Sequence, residues 1–276
     1  WHYARYIGRV TAAGKEEYPL PMYVNAWLVQ NDNQLPGDYP SGGPVARMLD
    51  VWRAGAPVID FFAPDIYLQD FKGVTARYTR AGNPLMIPEA RRGEEAARNA
   101  FWAFAEQDAL CFAPFGIESI DMDHTLIESY RLLMDLRPIL LQYQGSGKMY
   151  GILQQEGETD REIEFSTYTA HIHFQPQSPE TTPGFGLIIE VAPDTFLIAG
   201  NYFSVGYSTR PGGASKAGLL EVWEGRFDDG QWVPGRCLNG DETAGGDRVQ
   251  LPPNSWDHYA DPEKLRILRT QVYSYE

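Results

Sequence analysis

The sequence predicts an α/β fold over its first 145 residues and an all-β domain after them, and two observations carry that division. As far as residue 142, apolar strand-like runs alternate with amphipathic helical stretches, the pattern of a parallel sheet covered by helices. Beyond Gly145 the helical period disappears, and short strand-like runs follow one another between clusters of Pro, Gly, Asp and Asn. The boundary is expected in Tyr143-Gln144-Gly145-Ser146-Gly147, which gives domains 1–145 and 146–276.

The first helix is marked by Tyr3, Tyr6, Ile7 and Val10 at i, i+3, i+4 and i+7, with Gly14 as its stop. Met22 to Trp27 reads as the first strand. Pro44 opens a second helix carrying Val45, Met48, Leu49 and Trp52. Val58 to Ala63 is the second strand, and Asp70 caps a helix with Phe71, Val74 and Tyr78 that Gly82 ends. Leu85 to Ile87 is the third strand, followed by a helix from Glu94 to Glu106. Ala109 to Ala113 is the fourth, followed by a long helix through Leu126, Ile127, Tyr130, Leu133 and Met134. Each unit takes roughly thirty residues, the spacing of a (β/α)8 barrel. With four units, the alternatives are an open doubly wound sheet or half of a barrel whose other half lies elsewhere. No glycine-rich phosphate loop follows any strand, so a dinucleotide-binding fold lacks its fingerprint. The chain opens at Trp1 inside a helical pattern and reads as a continuation. In the second domain, Glu162 to Phe174, Gly186 to Val191, Thr195 to Ala199, Leu219 to Trp223 and Ile267 to Tyr275 are strand-like, and a sandwich is expected.

Composition narrows the partner. The formal net charge of −14 repels phosphate backbones and anionic bilayers, so nucleic acid is a poor fit. No apolar run reaches the length of a membrane span. A neutral ligand suits the field better, and 7 Trp, 16 Tyr and 13 Phe offer flat faces to one, although aromatic residues mostly fill cores. Cys111 sits in an apolar run and reads as a buried thiol, not as half of a disulfide with Cys237.

Three strands end alike, in Ala63-Pro64-Asp65, Ile87-Pro88-Glu89 and Ala113-Pro114-Phe115. Proline removes a backbone donor and suits the point where a strand leaves its sheet. The residue after it stands at the carboxyl end of the strand, where α/β folds keep their sites. Asp65, Tyr67, Glu89, Phe115 and Glu118 are therefore expected at one mouth, with Asn25 and Trp27 from the first strand. A carboxylate among aromatics is what glycoside cleavage requires, because an oxocarbenium-like transition state needs an anion beside the anomeric carbon. The competing readings are a solvated Glu89 paired with Arg91 or Arg92, an Asp65 that bonds loop amides, and Tyr67 and Trp27 as ordinary packing.

Several segments resemble a known family. Tyr23-Val24-Asn25-Ala26-Trp27-Leu28, Ala63-Pro64-Asp65-Ile66-Tyr67 and Asn83-Pro84-Leu85-Met86-Ile87-Pro88-Glu89-Ala90 are similar to the bacterial β-galactosidase-like enzymes grouped near glycoside hydrolase families 35 and 42. Tyr39 to Pro44 and Phe112 to Glu118 add to the likeness, which covers most of residues 1–145. The resemblance implies that the four strands are the fifth to eighth of a (β/α)8 barrel, with the β-rich domain as the accessory domain that follows. It places the nucleophile at the end of the seventh strand, at Glu89, with Tyr67 beside it. It also implies a retaining reaction on a β-galactoside or related oligosaccharide, no cofactor, and a periplasmic or secreted enzyme. The family's acid/base glutamate follows an asparagine, and no Asn-Glu pair occurs in this sequence. That residue is then expected from an N-terminal half-barrel segment outside this stretch.

Other readings stand beside this one. A non-catalytic carbohydrate-binding or assembly protein would use the same scaffold without the carboxylate pair. His171-x-His173 puts two imidazoles on one strand face, a spacing compatible with a metal, but a polar strand face is the better reading. The acidic stretch from Asn239 to Asp247 lacks the EF-hand spacing and reads as a solvated loop. No Gly-x-Ser-x-Gly elbow occurs, so a serine hydrolase has no nucleophile.

Overall fold

A computed structural model describes the chain except residues 32, 122–123, 179–180, 214–215 and 252–263. The described residues form fourteen strands in three sheets and five α-helices. Two compact units result, Trp1–Ala96 with Gln107–Asp121, and Ala97–Glu106 with Met122–Glu276.

The first unit holds a four-stranded parallel sheet, β1 (Tyr23–Trp27), β2 (Phe61–Ile66), β3 (Met86–Ala90) and β4 (Cys111–Pro114), in the spatial order of the sequence. Helix α1 (His2–Glu17) precedes β1, α2 (Leu49–Gly55) follows it, and α3 (Phe71–Thr79) follows β2. Gly14 does not stop α1, which continues through it to Glu17; Lys15 in that last turn pairs with Asp60 at 2.5 Å, just ahead of β2. Close packing of α1 on α2 is possible because Gly8 and Gly55 lack side chains: a Cβ on either would lie 2.9 or 2.8 Å from the Cβ of Ala56 or Ala4.

Asp70 caps α3 as its sequence suggests, accepting from the Gly73 amide at 2.9 Å. Asn83 is buried and serves the start of β2. Its Oδ1 accepts from the Phe62 amide at 2.9 Å, and its Nδ2 donates to the carbonyls of Phe62 and Tyr78. One side chain thereby ties the strand that carries Asp65 and leads into Tyr67 to the end of α3.

The second unit pairs two antiparallel sheets. One runs β13 (Arg248–Leu251), β10 (Phe203–Thr209), β7 (Tyr168–Phe174), β6 (Asp160–Glu164). The other runs β12 (Gln231–Cys237), β11 (Lys216–Asp228), β14 (Arg266–Tyr275), β9 (Thr195–Asn201), β8 (Phe185–Ala192), β5 (Met149–Leu153). Alternate residues of both, among them Ile163, Ile172, Val205, Phe196, Ile198 and Leu268, meet in one apolar cluster. β8 and β9 are buried on both faces, which explains why they read as continuous apolar runs. Helices α4 (Glu95–Ala105) and α5 (Thr125–Tyr143) cover their second face. The Phe101 ring meets Phe185 edge-on at 5.5 Å, and the Tyr143 hydroxyl donates to the Val191 carbonyl. At Gly151 the helix comes close enough that a Cβ would lie 2.8 Å from that of Glu106.

This architecture corrects the expected fold class. The chain is mostly β-sheet with an α/β part, not the second half of a (β/α)8 barrel with an appendage: ten of its fourteen described strands lie in the two antiparallel sheets. The parallel strands form an open sheet, and β1 and β4 each have one paired edge among the described residues. Alternating helix and strand periods report local units only. Closure of a ring is a long-range property that no period encodes.

Candidate functional site

The carboxyl ends of β1, β2 and β3 bring five of the seven expected residues together. Parallel register aligns Trp27 with Asp65 and Asp65 with Glu89, so these three form a row across neighbouring strands. Side chains in one such row share a face, and residues two apart along a strand return to it, which adds Asn25 and Tyr67. The contacts agree. Asn25 Nδ2 donates to Asp65 Oδ2 at 2.9 Å, Tyr67 Oη donates to Glu89 Oε1 at 2.6 Å, and the Trp27 and Tyr67 rings lie 5.6 Å apart, tilted by 39°.

The prolines act differently from their expected part. Pro64 and Pro88 lie inside β2 and β3, not at the exits. At Pro88-Glu89 the β3–β4 register slips: Ile87 faces Phe112 and Ala90 faces Pro114, so two residues on β3 oppose Ala113. This is a β-bulge, and a proline that cannot donate to the ladder suits it. A bulge re-aims the side chains it carries, here that of Glu89.

Burial sorts the group by depth. Trp27 is 41% exposed and Glu89 half-buried, whereas Asp65 is only 6% exposed. Asp65 Oδ1 is enclosed with no hydrogen-bond partner among the described residues. Burial, and after it the charge of Glu89, pushes the Asp65 carboxyl up to about 6, while the Asn25 bond works in the opposite sense. Burial and the bond to Glu89 push the Tyr67 hydroxyl up to about 12, so it stays a donor at any physiological pH.

The arginines next to Glu89 are engaged elsewhere. Arg91 donates to the Tyr67 carbonyl at 3.0 Å and pairs with Glu95 at 3.7 Å, and Arg92 donates to the Gly116 carbonyl at 2.6 Å. The sequence does not reveal that Arg91 is a brace for Tyr67, because its nearest acid in sequence is Glu89 itself.

Phe115 and Glu118 stand apart from the row. Phe115 follows β4, its amide donating to the Ala90 carbonyl at 2.9 Å, and its ring is exposed. Glu118 lies in a single 3-10 turn, Ile117–Ser119, and is exposed as well. Neither makes a hydrogen bond or ring contact with the other five among the described residues.

The two weaker constellations in the second unit are held by ion pairs and hydrogen bonds. His171 faces Glu162 across β6–β7 at 3.2 Å and shares a 2.7 Å hydrogen bond with Ser208, and His173 meets Asp160 at 2.6 Å. In the Asn239–Asp247 loop, Glu242 is buried and pairs with Arg236. Among the described residues no group of three or more His, Cys, Asp or Glu is arranged to hold a metal, and no helix is long and apolar enough to cross a membrane.

Residues 126–250, which span α5 and most of the antiparallel strands, match a family described as a domain of unknown function, DUF5597. No curated protein matches the chain.

Proposed function

We propose that this chain carries the nucleophile of a retaining glycoside hydrolase acting on β-galactosides, and that Glu89 is that nucleophile. One observation supports it above the rest: a half-buried glutamate at a strand's carboxyl end, on a bulge, with one oxygen bonded to a tyrosine hydroxyl and an exposed indole alongside. Tyr67 fixes Glu89 Oε1 and leaves Oε2 to attack the anomeric carbon. The bond from that carbon to the leaving oxygen breaks as a second carboxylic acid gives that oxygen its proton. Water then attacks the anomeric carbon of the glycosyl ester, loses its proton to the same second group, and releases Glu89. Asp65 is too enclosed to serve as that second group, and the family resemblance implies an acid/base glutamate from a further segment. Trp27 offers a ring face to the sugar, and Asn25 offers a polar group to its hydroxyls.

The test is trapping. A 2-deoxy-2-fluoro-galactosyl fluoride incubated with the complete protein is expected to leave a glycosyl adduct on the peptide containing Glu89, and Glu89→Gln is expected to abolish turnover of nitrophenyl β-galactoside. Galactoside binding with neither turnover nor adduct would identify a non-catalytic carbohydrate-binding protein instead.

A further inference from the structure

Asp65 is the most enclosed member of the row, yet it stands in register beside another carboxyl group. Its Oδ2 accepts one amide N–H from Asn25, and its Oδ1 is shut away from solvent without a donor among the described residues. An ionised carboxylate in such a place needs donors or a cation at both oxygens, and a neighbouring negative charge makes the need greater. A protonated Asp65 removes the charge beside Glu89 and keeps Oδ2 accepting from Asn25, and a neutral O–H without an acceptor among the described residues costs less than a buried charge.

We propose that Asp65 is a positioning residue that holds the one proton kept by the Asp65–Glu89 carboxyl pair, so that Glu89 alone carries charge when substrate arrives. The inference rests on the reading of Glu89 as the nucleophile, and it assigns Asp65 a part other than contact with the sugar. Asn25 from β1 acts on Asp65 through its hydrogen bond and Glu89 from β3 through its charge, and an ionised Asp65 would act in turn on the hydroxyls of Tyr67 and, from α3, Tyr78. The Tyr78 hydroxyl donates to the Pro44 carbonyl at 2.9 Å and is held protonated by burial and by Asp65, with Arg77 acting weakly in the other direction. The enclosed setting raises Asp65 to about 6, so the pair keeps its proton on the acid side of that value and gives it up above it. When Glu89 becomes a neutral glycosyl ester, Asp65 loses its charged neighbour and gives up its proton more readily. The proton affinity of Asp65 therefore falls as the covalent intermediate forms and recovers when Glu89 is released.

The experiment is a carboxyl-carbon NMR titration of the protein labelled in aspartate, with the Asp65 signal assigned by its disappearance in Asp65→Asn. The wild type is expected to titrate near pH 6. Glu89→Gln, or trapping with the fluorinated sugar, should lower that midpoint by about half to one pH unit, and Asn25→Ala should raise it. A wild-type midpoint in the ordinary aspartate range, or one that Glu89→Gln leaves in place, overturns the proposal. The pH profile of kcat/KM gives a second decision: the inflection near 6 should vanish in Asp65→Asn, and its persistence also overturns the proposal. Should Asp65→Asn not fold, the signal is assigned by through-bond correlation to the Asp65 backbone, independently of any Glu89 variant. A wild type that cleaves no galactoside removes the nucleophile reading, while the titration still decides where the proton sits.

Discussion

The Tyr67 hydroxyl donates to Glu89 Oε1 at 2.6 Å, across two neighbouring parallel strands. A bond this short to a carboxylate fixes one oxygen, and on the proposed function it leaves the other to act as nucleophile. Removing it in Tyr67→Phe leaves the ring and its contact with Trp27 unchanged. Hydrogen bonds to charged groups contribute about 1.5–3 kcal/mol, so kcat/KM on nitrophenyl β-galactoside is expected to fall roughly 10- to 100-fold with an unchanged circular dichroism spectrum. Because Tyr67 titrates only at about 12, the wild type should show no alkaline limb from this group below about pH 10. A Tyr67→Phe enzyme with full activity would remove the hydroxyl from the mechanism.

Asp65 makes stability depend on pH in a direction opposite to that of most carboxylates. Its folded form binds the proton more tightly than the unfolded chain does, with an affinity near pH 6 against 3.8. The stabilisation is therefore complete below about pH 4 and is lost as the pH rises towards 6, staying constant above. Asp65→Asn cannot titrate. The stability of Asp65→Asn minus that of the wild type should grow by about 2–2.5 kcal/mol between pH 4 and pH 7, measured from urea unfolding at each pH. Taking the difference cancels Asp60, Asp160 and Asp194, whose carboxyls are held below the usual range by their own partners and slope the other way. A difference that stays flat with pH would place Asp65 in an ordinary ionised state.

The row of site residues was legible in the sequence because each member lies within an apolar strand-like run or within four residues of its end, although β2 and β3 run three residues further than those runs. Asn25, Trp27, Asp65, Tyr67 and Glu89 all follow from that rule. Their depth was not legible. Whether Asp65 faces solvent or interior depends on what α3 and β3 place around it, and no spacing within β2 reports that. The bulge at Pro88-Glu89 has a signal in the proline, but a proline in a bulge and a proline at a strand exit look alike in sequence. Phe115 and Glu118 were carried into the group by analogy with the other strand ends; the Gly116 turn, with φ +68, sends the chain into a 3-10 turn and leaves both exposed. The fold class failed for a related reason. The first 145 residues gave strong local signals, while closure of a sheet and the weight of ten antiparallel strands are properties of pairings far apart in sequence.

Trp27 tests whether the exposed ring belongs to a sugar subsite or to packing. It is 41% exposed, and its one described ring partner is Tyr67. Trp27→Ala should therefore cost the fold little, on the order of 1 kcal/mol. Loss of a stacking face that serves the bound sugar and the transition state alike raises KM with kcat nearly unchanged, by roughly 3- to 10-fold for about 0.5–1.5 kcal/mol. An unchanged KM together with a large drop in melting temperature would make Trp27 a packing residue.

Asn83 gives the sharpest structural prediction, because one side chain satisfies three buried backbone groups. Its Oδ1 takes the Phe62 amide and its Nδ2 serves the Phe62 and Tyr78 carbonyls, each at 2.9 Å. Asn83→Ala orphans all three away from water. Each unsatisfied buried group costs about 1–3 kcal/mol, and local rearrangement recovers part of it, so a net loss on the order of 2–4 kcal/mol is expected. Asn83→Asp keeps the acceptor for the Phe62 amide but replaces the donor with a carboxylate that faces two carbonyls. It should be at least as damaging at pH 7 and should recover below about pH 5, where protonation restores a donor. Because Phe62 opens the strand that carries Asp65, both substitutions should also loosen the site. Hydrogen exchange at the Phe62 and Ala63 amides reads this directly. Faster exchange confined to β2 and its neighbours is expected, whereas unchanged protection would mean that the strand holds its place without Asn83.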